Sequence, residues 1–364
     1  MTRRFLEGSE AMVDAAILAG CRFFAGYPMT PFTEVLDHMA GKMPAAGGVC
    51  INAESELEAV GMAWGALATG VRAATGSVGQ GLSLMQESFS EITRAELPLV
   101  VFNMARGQSD YYQSTRGGGH GDYFHIVLCP IDIHEAIEHV QLAFHLADLW
   151  RNPVQIYGDY LLAHTAEAVE LAPLVLDGMP IKDWALDGSL NGTGRSRNIN
   201  SIGMSKGAKG IEPEAFWKRL QAKYDRIRER EARHEAEFLE DADYVVTAFG
   251  TTAKFVRHVV RDMRSRGRRI GYIRPVTLWP FPAEPYRACA GTVREIGVFE
   301  LNGGQMIDDV RLSVLGATPV VSLGGISSDE SGFGVGPLLN TDVIGSILED
   351  SYARATAGDA VPCA

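Results

Sequence analysis

Three side chains stand out by type and position. Thr30 follows a short apolar run over 21–25, Glu56 follows a second over 49–52, and Arg106 follows a near-continuous run over 98–103. A hydroxyl, a carboxylate and a guanidinium at the carboxyl ends of strands lie where open α/β sheets place ligands. The carboxylate can share or move a proton. The guanidinium can grip a carboxylate through two parallel hydrogen bonds. Together they favour a small acidic substrate or a cofactor ring. Each also has a plainer reading. Thr30 suits the N-cap of a helix starting at Pro31, Ser55 and Glu58 form a Ser-x-x-Glu capping box around Glu56, and Arg106 suits a surface salt bridge.

The runs that carry them belong to a longer alternation. Helices are expected over 9–19, 31–43, 55–69, 82–94 and 133–150, with further strands over 72–75, 125–129 and 153–157. Such alternation implies a parallel sheet with helices on both faces. The pattern lapses from 161 to 211, and residues 189–210 are rich in Gly, Ser and Asn, as in a linker. A long mixed-charge helix is expected over 213–239, turning a solvated face outward. A second α/β unit starts at Asp243, with strands over 244–249, 270–274, 297–301 and 319–323 and helices over 251–266 and 306–315. The expected organisation is a first domain over 1–165, a linker and charged helix over 166–240, a second domain over 241–349, and a loose tail over 350–364.

Composition narrows the class. The chain has 364 residues, 46% hydrophobic and 21% charged, with a formal net charge of −12. These are globular values, and the negative charge disfavours nucleic acid or an anionic membrane as partner. Five cysteines are scattered without a Cys-x-x-Cys pair, which suggests neither a zinc site, a cluster, nor a disulfide framework. No apolar run reaches membrane-spanning length, and the first residues meet glutamate at Glu7 without a signal-like apolar stretch. The expectation is a soluble cytoplasmic protein.

Several tempting motifs fail. Gly76-Ser77-Val78-Gly79-Gln80-Gly81 lacks a P-loop lysine and does not match the dinucleotide spacing, so tight helix–strand packing is its better reading. His134 and His139 are five apart and fall on different helix faces, which argues against zinc. The chain carries no self-contained catalytic set.

Longer motifs carry a resemblance. Tyr27-Pro28-Met29-Thr30-Pro31, Ala53-Glu54-Ser55-Glu56, the stretches over 81–87 and 117–122, and Arg151-Asn152-Pro153-Val154 resemble the alpha subunit of 2-oxoacid:ferredoxin oxidoreductases, within it the 2-oxoisovalerate (branched-chain) type. The stretches over 273–282 and 300–306 resemble that family's carboxy-terminal domain. The resemblance covers about residues 7–325.

It implies a thiamine-diphosphate-binding, pyrimidine-type domain followed by a transketolase-C-like domain. Glu56 matches the glutamate that hydrogen-bonds the aminopyrimidine ring, and burial favours a shared proton there. Tyr27, Pro28 and Gly81 are implied as further cofactor contacts. Thr30 and Arg106 match the residues that hold the 2-oxoacid carboxylate, and the cofactor supplies the electron sink. The implied reaction is oxidative decarboxylation to acyl-CoA and CO2. The Gly-Asp-Gly…Asn motif for Mg2+ and diphosphate is missing, with Gly158-Asp159-Tyr160 its nearest approach. Metal and diphosphate are therefore implied on a beta subunit, [4Fe-4S] clusters on partners including gamma and ferredoxin-like delta subunits, with ferredoxin as acceptor. One departure stands beside the substrate: Arg106-Gly107 runs directly into Gln108-Ser109-Asp110-Tyr111, a loop several residues shorter than the family's. The alternatives are a non-catalytic scaffold subunit or the pyrimidine half of another thiamine enzyme.

Overall fold

The computed structural model describes residues 3–186, 213–332 and 336–357. The linker expected over 189–210 lies outside the described residues. In chain order the first part comprises β1 (Arg4–Glu7), α1 (Gly8–Leu18), β2 (Phe23–Gly26), α2 (Thr33–Lys42), β3 (Val49–Asn52), α3 (Glu56–Ala68), β4 (Ala73–Ser77), α4 (Gly79–Arg94) and β5 (Val100–Ala105). It continues through α5 (Tyr111–Arg116), β6 (Ile126–Leu128), α6 (Ile133–Trp150), β7 (Val154–Asp159), α7 (Tyr160–His164) and β8 (Ala166–Val169).

Strands β6, β7, β5, β4, β2 and β3 lie side by side in that order and run parallel. Their side chains alternate between two cores, as strand geometry requires. Phe24 and Phe102 pack with α1, α2 and α6 on one face. Ala25 and Val101 pack with Val60 and Leu67 of α3 and Leu82 and Phe89 of α4 on the other. Helices thus cover both faces of a buried parallel sheet, as the alternation implied.

The second part comprises α8 (Pro213–Glu231), β9 (His234–Glu237), β10 (Tyr244–Thr247), α9 (Gly250–Ser265), β11 (Ile270–Pro275), β12 (Thr277–Trp279), α10 (Ala283–Cys289), β13 (Glu295–Val298), α11 (Met306–Val314), β14 (Val320–Ser322) and α12 (Thr341–Thr356). Its five-stranded sheet runs β14-β13-β10-β11-β9, with β9 the antiparallel edge. Strand β12 leaves that sheet and pairs antiparallel with β6 of the first, and Trp279 stacks on Phe124 at 4.7 Å between ring centroids. Arg274, 0% exposed, closes the same junction through two hydrogen bonds to Glu135 at 2.7 and 2.6 Å.

Three expectations need correction. Thr30 does not cap α2. That helix starts at Thr33, and the Met29 carbonyl accepts from Phe32 N at 2.6 Å and Thr33 N at 3.1 Å, so a backbone turn does the work assigned to the side chain. The charged helix ends at Glu231 rather than 239, and its inner stripe of Phe216, Leu220, Tyr224 and Ile227 is buried in the first core. The tail after Glu349 remains helical to Thr356, because Ile344, Leu348 and Tyr352 pack on α9 and β10. Burying one leucine side chain contributes ~1.5–3 kcal/mol, enough to hold a helical end. The remaining expected boundaries differ mostly by a few residues, since helix and strand ends fray; β1, α5, α7, β8, β9, β12, α10 and α12 had no counterpart in the sequence reading.

Candidate active site

Strands β5, β4, β2 and β3 are adjacent and parallel, so their carboxyl ends share one rim. The capping box fixes the first element above it. Ser55 Oγ accepts from Glu58 N at 3.3 Å, and the Glu58 carboxylate accepts from Glu54 N at 3.0 Å. With its N-terminus pinned, α3 turns Glu56, its first residue, inward, where the side chain is 4% exposed.

Two neighbours define the place of that carboxylate. Ser77, the last residue of β4, donates its hydroxyl to Glu56 Oε1 at 3.3 Å. Gly81, in the first turn of α4, lies so close that a Cβ there would stand 2.0 Å from Ser77 Oγ and 2.4 Å from Glu56 Oε1. The glycine stretch works by close approach throughout. A Cβ at Gly76 would meet the Phe102 carbonyl at 2.5 Å, and one at Gly79 would meet Asp110 Oδ1 at 2.4 Å. This is the packing role favoured from sequence.

The rim continues away from Glu56. Ser77 Oγ is 3.8 Å from Met29 Sδ, and the next residue, Thr30, accepts from Arg106 Nε through its carbonyl at 3.0 Å. Thr30, Tyr27 and Pro28 are exposed on this edge. Thr30, Arg106 and Glu56 therefore stand along one path, with a buried carboxylate at one end and a guanidinium at the other. Arg106 also borders a cavity of about 470 Å³, whose walls include Gly79, Ser83, Asp110, Gln113 and Leu301. Burial pushes the Asp110 carboxyl up to about 6, against a hydrogen bond from Asn103 and the Arg106 charge.

Sequence reasoning missed Ser77 and Asp110. Ser77 lay within a stretch read only for its glycines. Asp110 precedes the short α5, which had no periodic signal of its own. Gly158-Asp159-Tyr160, the nearest approach to a metal–diphosphate motif, is committed elsewhere. Asp159 accepts from Leu162 N at 2.8 Å to cap α7, receives the Thr251 hydroxyl, and has its carboxyl raised by burial. His134 and His139 face apart: His134 Nε2 lies 3.6 Å from Glu167, and buried His139 lies 3.6 Å from Glu135. Among the described residues one group, exposed Glu87 and His120 with half-buried Glu91, brings metal-ligating atoms within 4.8 Å of one another, and His120 Nδ1 is already bonded to Glu87.

The residues around Glu56 fit the pyrimidine half of thiamine diphosphate. A buried carboxylate with one hydroxyl partner can share a proton with a ring nitrogen, and the missing side chain at Gly81 leaves that carboxylate in place. Asp159 does not fit the diphosphate half, since protein donors and burial already satisfy it.

Residues 14–190 match the family described as pyruvate flavodoxin/ferredoxin oxidoreductase, thiamine diphosphate-binding, and residues 242–330 match pyruvate:ferredoxin oxidoreductase core domain II. The chain is 36% identical over 324 residues to the ketoisovalerate oxidoreductase subunit VorB of Methanothermobacter thermautotrophicus, covering 86% of this chain and 90% of that one. It is 34% identical over 349 residues to the 2-oxoglutarate synthase subunit KorA of the same organism, covering 87% and 92%. Its fold is similar to that of 2-oxoglutarate:ferredoxin oxidoreductase from Magnetococcus marinus, with a TM-score of 0.79 at 24% identity, covering 96% of this chain and 65% of that longer one. With both domains matched and a relative of this identity spanning most of its length, the chain belongs to the 2-oxoacid:ferredoxin oxidoreductase family.

Proposed function

We propose that this chain supplies the pyrimidine half of a thiamine diphosphate site in a CoA-acylating 2-oxoacid:ferredoxin oxidoreductase, and that it works only with partner subunits. The observation that carries the reading is the buried Glu56 carboxylate, held by Ser77 and Gly81, on one rim with Thr30 and Arg106. Bound thiamine diphosphate supplies the electron sink for decarboxylation. Glu56 shares a proton with a pyrimidine nitrogen, and the buried setting strengthens that hydrogen bond. Arg106 and the exposed Thr30 orient the 2-oxoacid carboxylate, with Tyr27 and Pro28 lining the entrance. Holding the reacting groups in register is worth several kcal/mol of barrier, on the order of 7–11 in the best cases.

The surface of α3 supports a partner beside this site. Leu57 and Met62 are 54% and 39% exposed, and a Cβ on Gly61 or Gly65 would meet nothing within 4 Å. A mid-helix glycine costs about 1 kcal/mol relative to alanine. Two of them on an apolar outer face suit close packing by another chain. We assign that chain to a beta subunit carrying Mg2+ and the diphosphate contacts, because Asp159 is committed within this one. The described cysteines are dispersed, and burial pushes the Cys21 thiol up to about 12 and Cys50 up to about 11. Thiols so disposed do not suit cluster ligation, so [4Fe-4S] clusters are assigned to gamma or delta partners, with ferredoxin as electron acceptor. Among the described residues no helix is long and apolar enough to cross a membrane, which supports action in the cytoplasm.

The test is purification of the native complex and reduction of a viologen dye with a panel of 2-oxoacids and coenzyme A. Reduction that needs both substrates is expected. Inactivity toward every 2-oxoacid, in a preparation carrying its cofactors, would overturn the assignment.

A further inference from the structure

The stretch Glu300–Met306 was singled out by its motif, and of its residues the site described above uses Leu301 alone, as a cavity wall. It contacts the loop that follows Arg106. Gln108, two residues beyond the arginine, is 2% exposed. Its Nε2 donates to the Phe249 carbonyl at 2.9 Å and to Thr252 Oγ1 at 3.2 Å, and its Oε1 accepts from Leu301 N at 2.7 Å. Its own carbonyl accepts from Asn302 Nδ2 at 2.9 Å. All of these partners belong to the second domain.

Gln305 repeats the grip one step along. Its Nε2 donates to the Ser109 carbonyl at 3.0 Å, and its Oε1 accepts from Tyr112 N at 2.9 Å. Glu300, 0% exposed, fixes Gln305 by accepting from Gln305 N, Met306 N and Ile307 N at 3.1, 2.8 and 3.2 Å. That arrangement also satisfies the free N–H groups at the start of α11. Tyr111 adds a bond to Asp309 Oδ2 at 2.6 Å. From its own domain, Gly107 O receives a weaker contact from Tyr157 Oη at 3.4 Å.

General cohesion of the domains does not require this clamp, because the Arg274–Glu135 pair and the β12–β6 pairing already join them. The clamp instead fixes the backbone beside Arg106. A guanidinium that grips a carboxylate in fork geometry depends on its position to within a fraction of an ångström. We infer that Gln108 and Gln305 are positioning residues, through which the second domain sets the place of Arg106 for the 2-oxoacid carboxylate. This rests on the reading of Arg106 given under Proposed function.

The experiment compares Gln108→Met, Gln305→Met, Gln305→Glu and Arg106→Ala in the assembled complex. The KM for the 2-oxoacid, the KM for coenzyme A, kcat and thermal stability are measured for each. Methionine keeps volume and removes the hydrogen bonds, and half-buried Gln305 tolerates it should Gln108→Met fail to fold. The expected result is a rise of about tenfold in the 2-oxoacid KM for the methionine variants, with kcat and the coenzyme A KM nearly unchanged. Gln305→Glu keeps the acceptor for Tyr112 N and should recover part of the loss. An unchanged 2-oxoacid KM in the glutamine variants, while Arg106→Ala raises it, overturns the clamp alone. An unchanged KM in Arg106→Ala overturns both the clamp and the role of Arg106. Equal losses in every parameter, tracking stability, show a merely structural brace and also overturn the proposal.

Discussion

A single added carbon at Gly81 should separate chemistry from folding. An alanine Cβ would stand 2.4 Å from Glu56 Oε1, where ordinary contact begins at 3.4 Å, so the carboxylate must withdraw by about 1 Å. It would also stand 2.0 Å from Ser77 Oγ, displacing the hydroxyl that holds the carboxylate. A displacement of ~1 Å at a reacting group costs on the order of 100-fold, or about 2.7 kcal/mol of barrier. In a helix, alanine gains about 0.5–1 kcal/mol over glycine, which offsets part of the strain. The Gly81→Ala complex should therefore melt within a few degrees of wild type and lose about two orders of magnitude in kcat. Dye reduction at saturating substrate measures it, beside Gly41→Ala, whose Cβ would meet nothing within 4 Å. Full activity in Gly81→Ala would refute the idea that Glu56 must sit where Gly81 and Ser77 hold it.

Two further outcomes follow from the same geometry. The Asp110 carboxyl is pushed up to about 6 in the fold, from an ordinary 3.8. The folded state thus holds that proton more tightly than the unfolded chain, a contribution full below pH ~4 and lost as pH rises through ~6, worth up to about 3 kcal/mol. Asp110→Asn should remove it, raising the melting temperature most at pH 8; equal effects at pH 4.5 and pH 8 would contradict the assignment. Gly65→Leu on the outer face of α3 should leave the isolated chain as stable as wild type, since that side is open, yet prevent recovery of the partner on co-purification. Normal assembly with Gly65→Leu would place the partner elsewhere.

The parallel sheet and its rim were legible because they rest on local signals. Buried strands read as apolar runs, and Ser55–Glu58 announces the start of α3 in its own residue types. The turn at Thr30 was not legible, because the group that closes it is the Met29 carbonyl, which every residue carries. Helix α5 was hidden for a different reason. Its six residues are too few to show periodicity, and contacts from Gln305 and Asp309, almost 200 positions away, hold it in place. Strand β12 likewise depends on its pairing with β6 across the domain junction. The end of α12 was expected as a loose tail although its signal was present: Ile344, Leu348 and Tyr352 repeat every fourth position, the helical spacing of a buried stripe. Glu56, Thr30 and Arg106 were visible as strand-end polar groups, whereas Ser77 gained meaning only when β4 and α3 were seen together.

The most direct test of the central claim is Glu56→Gln in the native complex, with dye reduction followed on the 2-oxoacid that wild type prefers. Glutamine keeps the size and the contact with Ser77 but cannot exchange a proton as a carboxylate does. The account predicts an assembled, cofactor-loaded complex whose kcat falls by about 10²–10⁴-fold. A variant that assembles, loads its cofactors and turns over at the wild-type rate would contradict it.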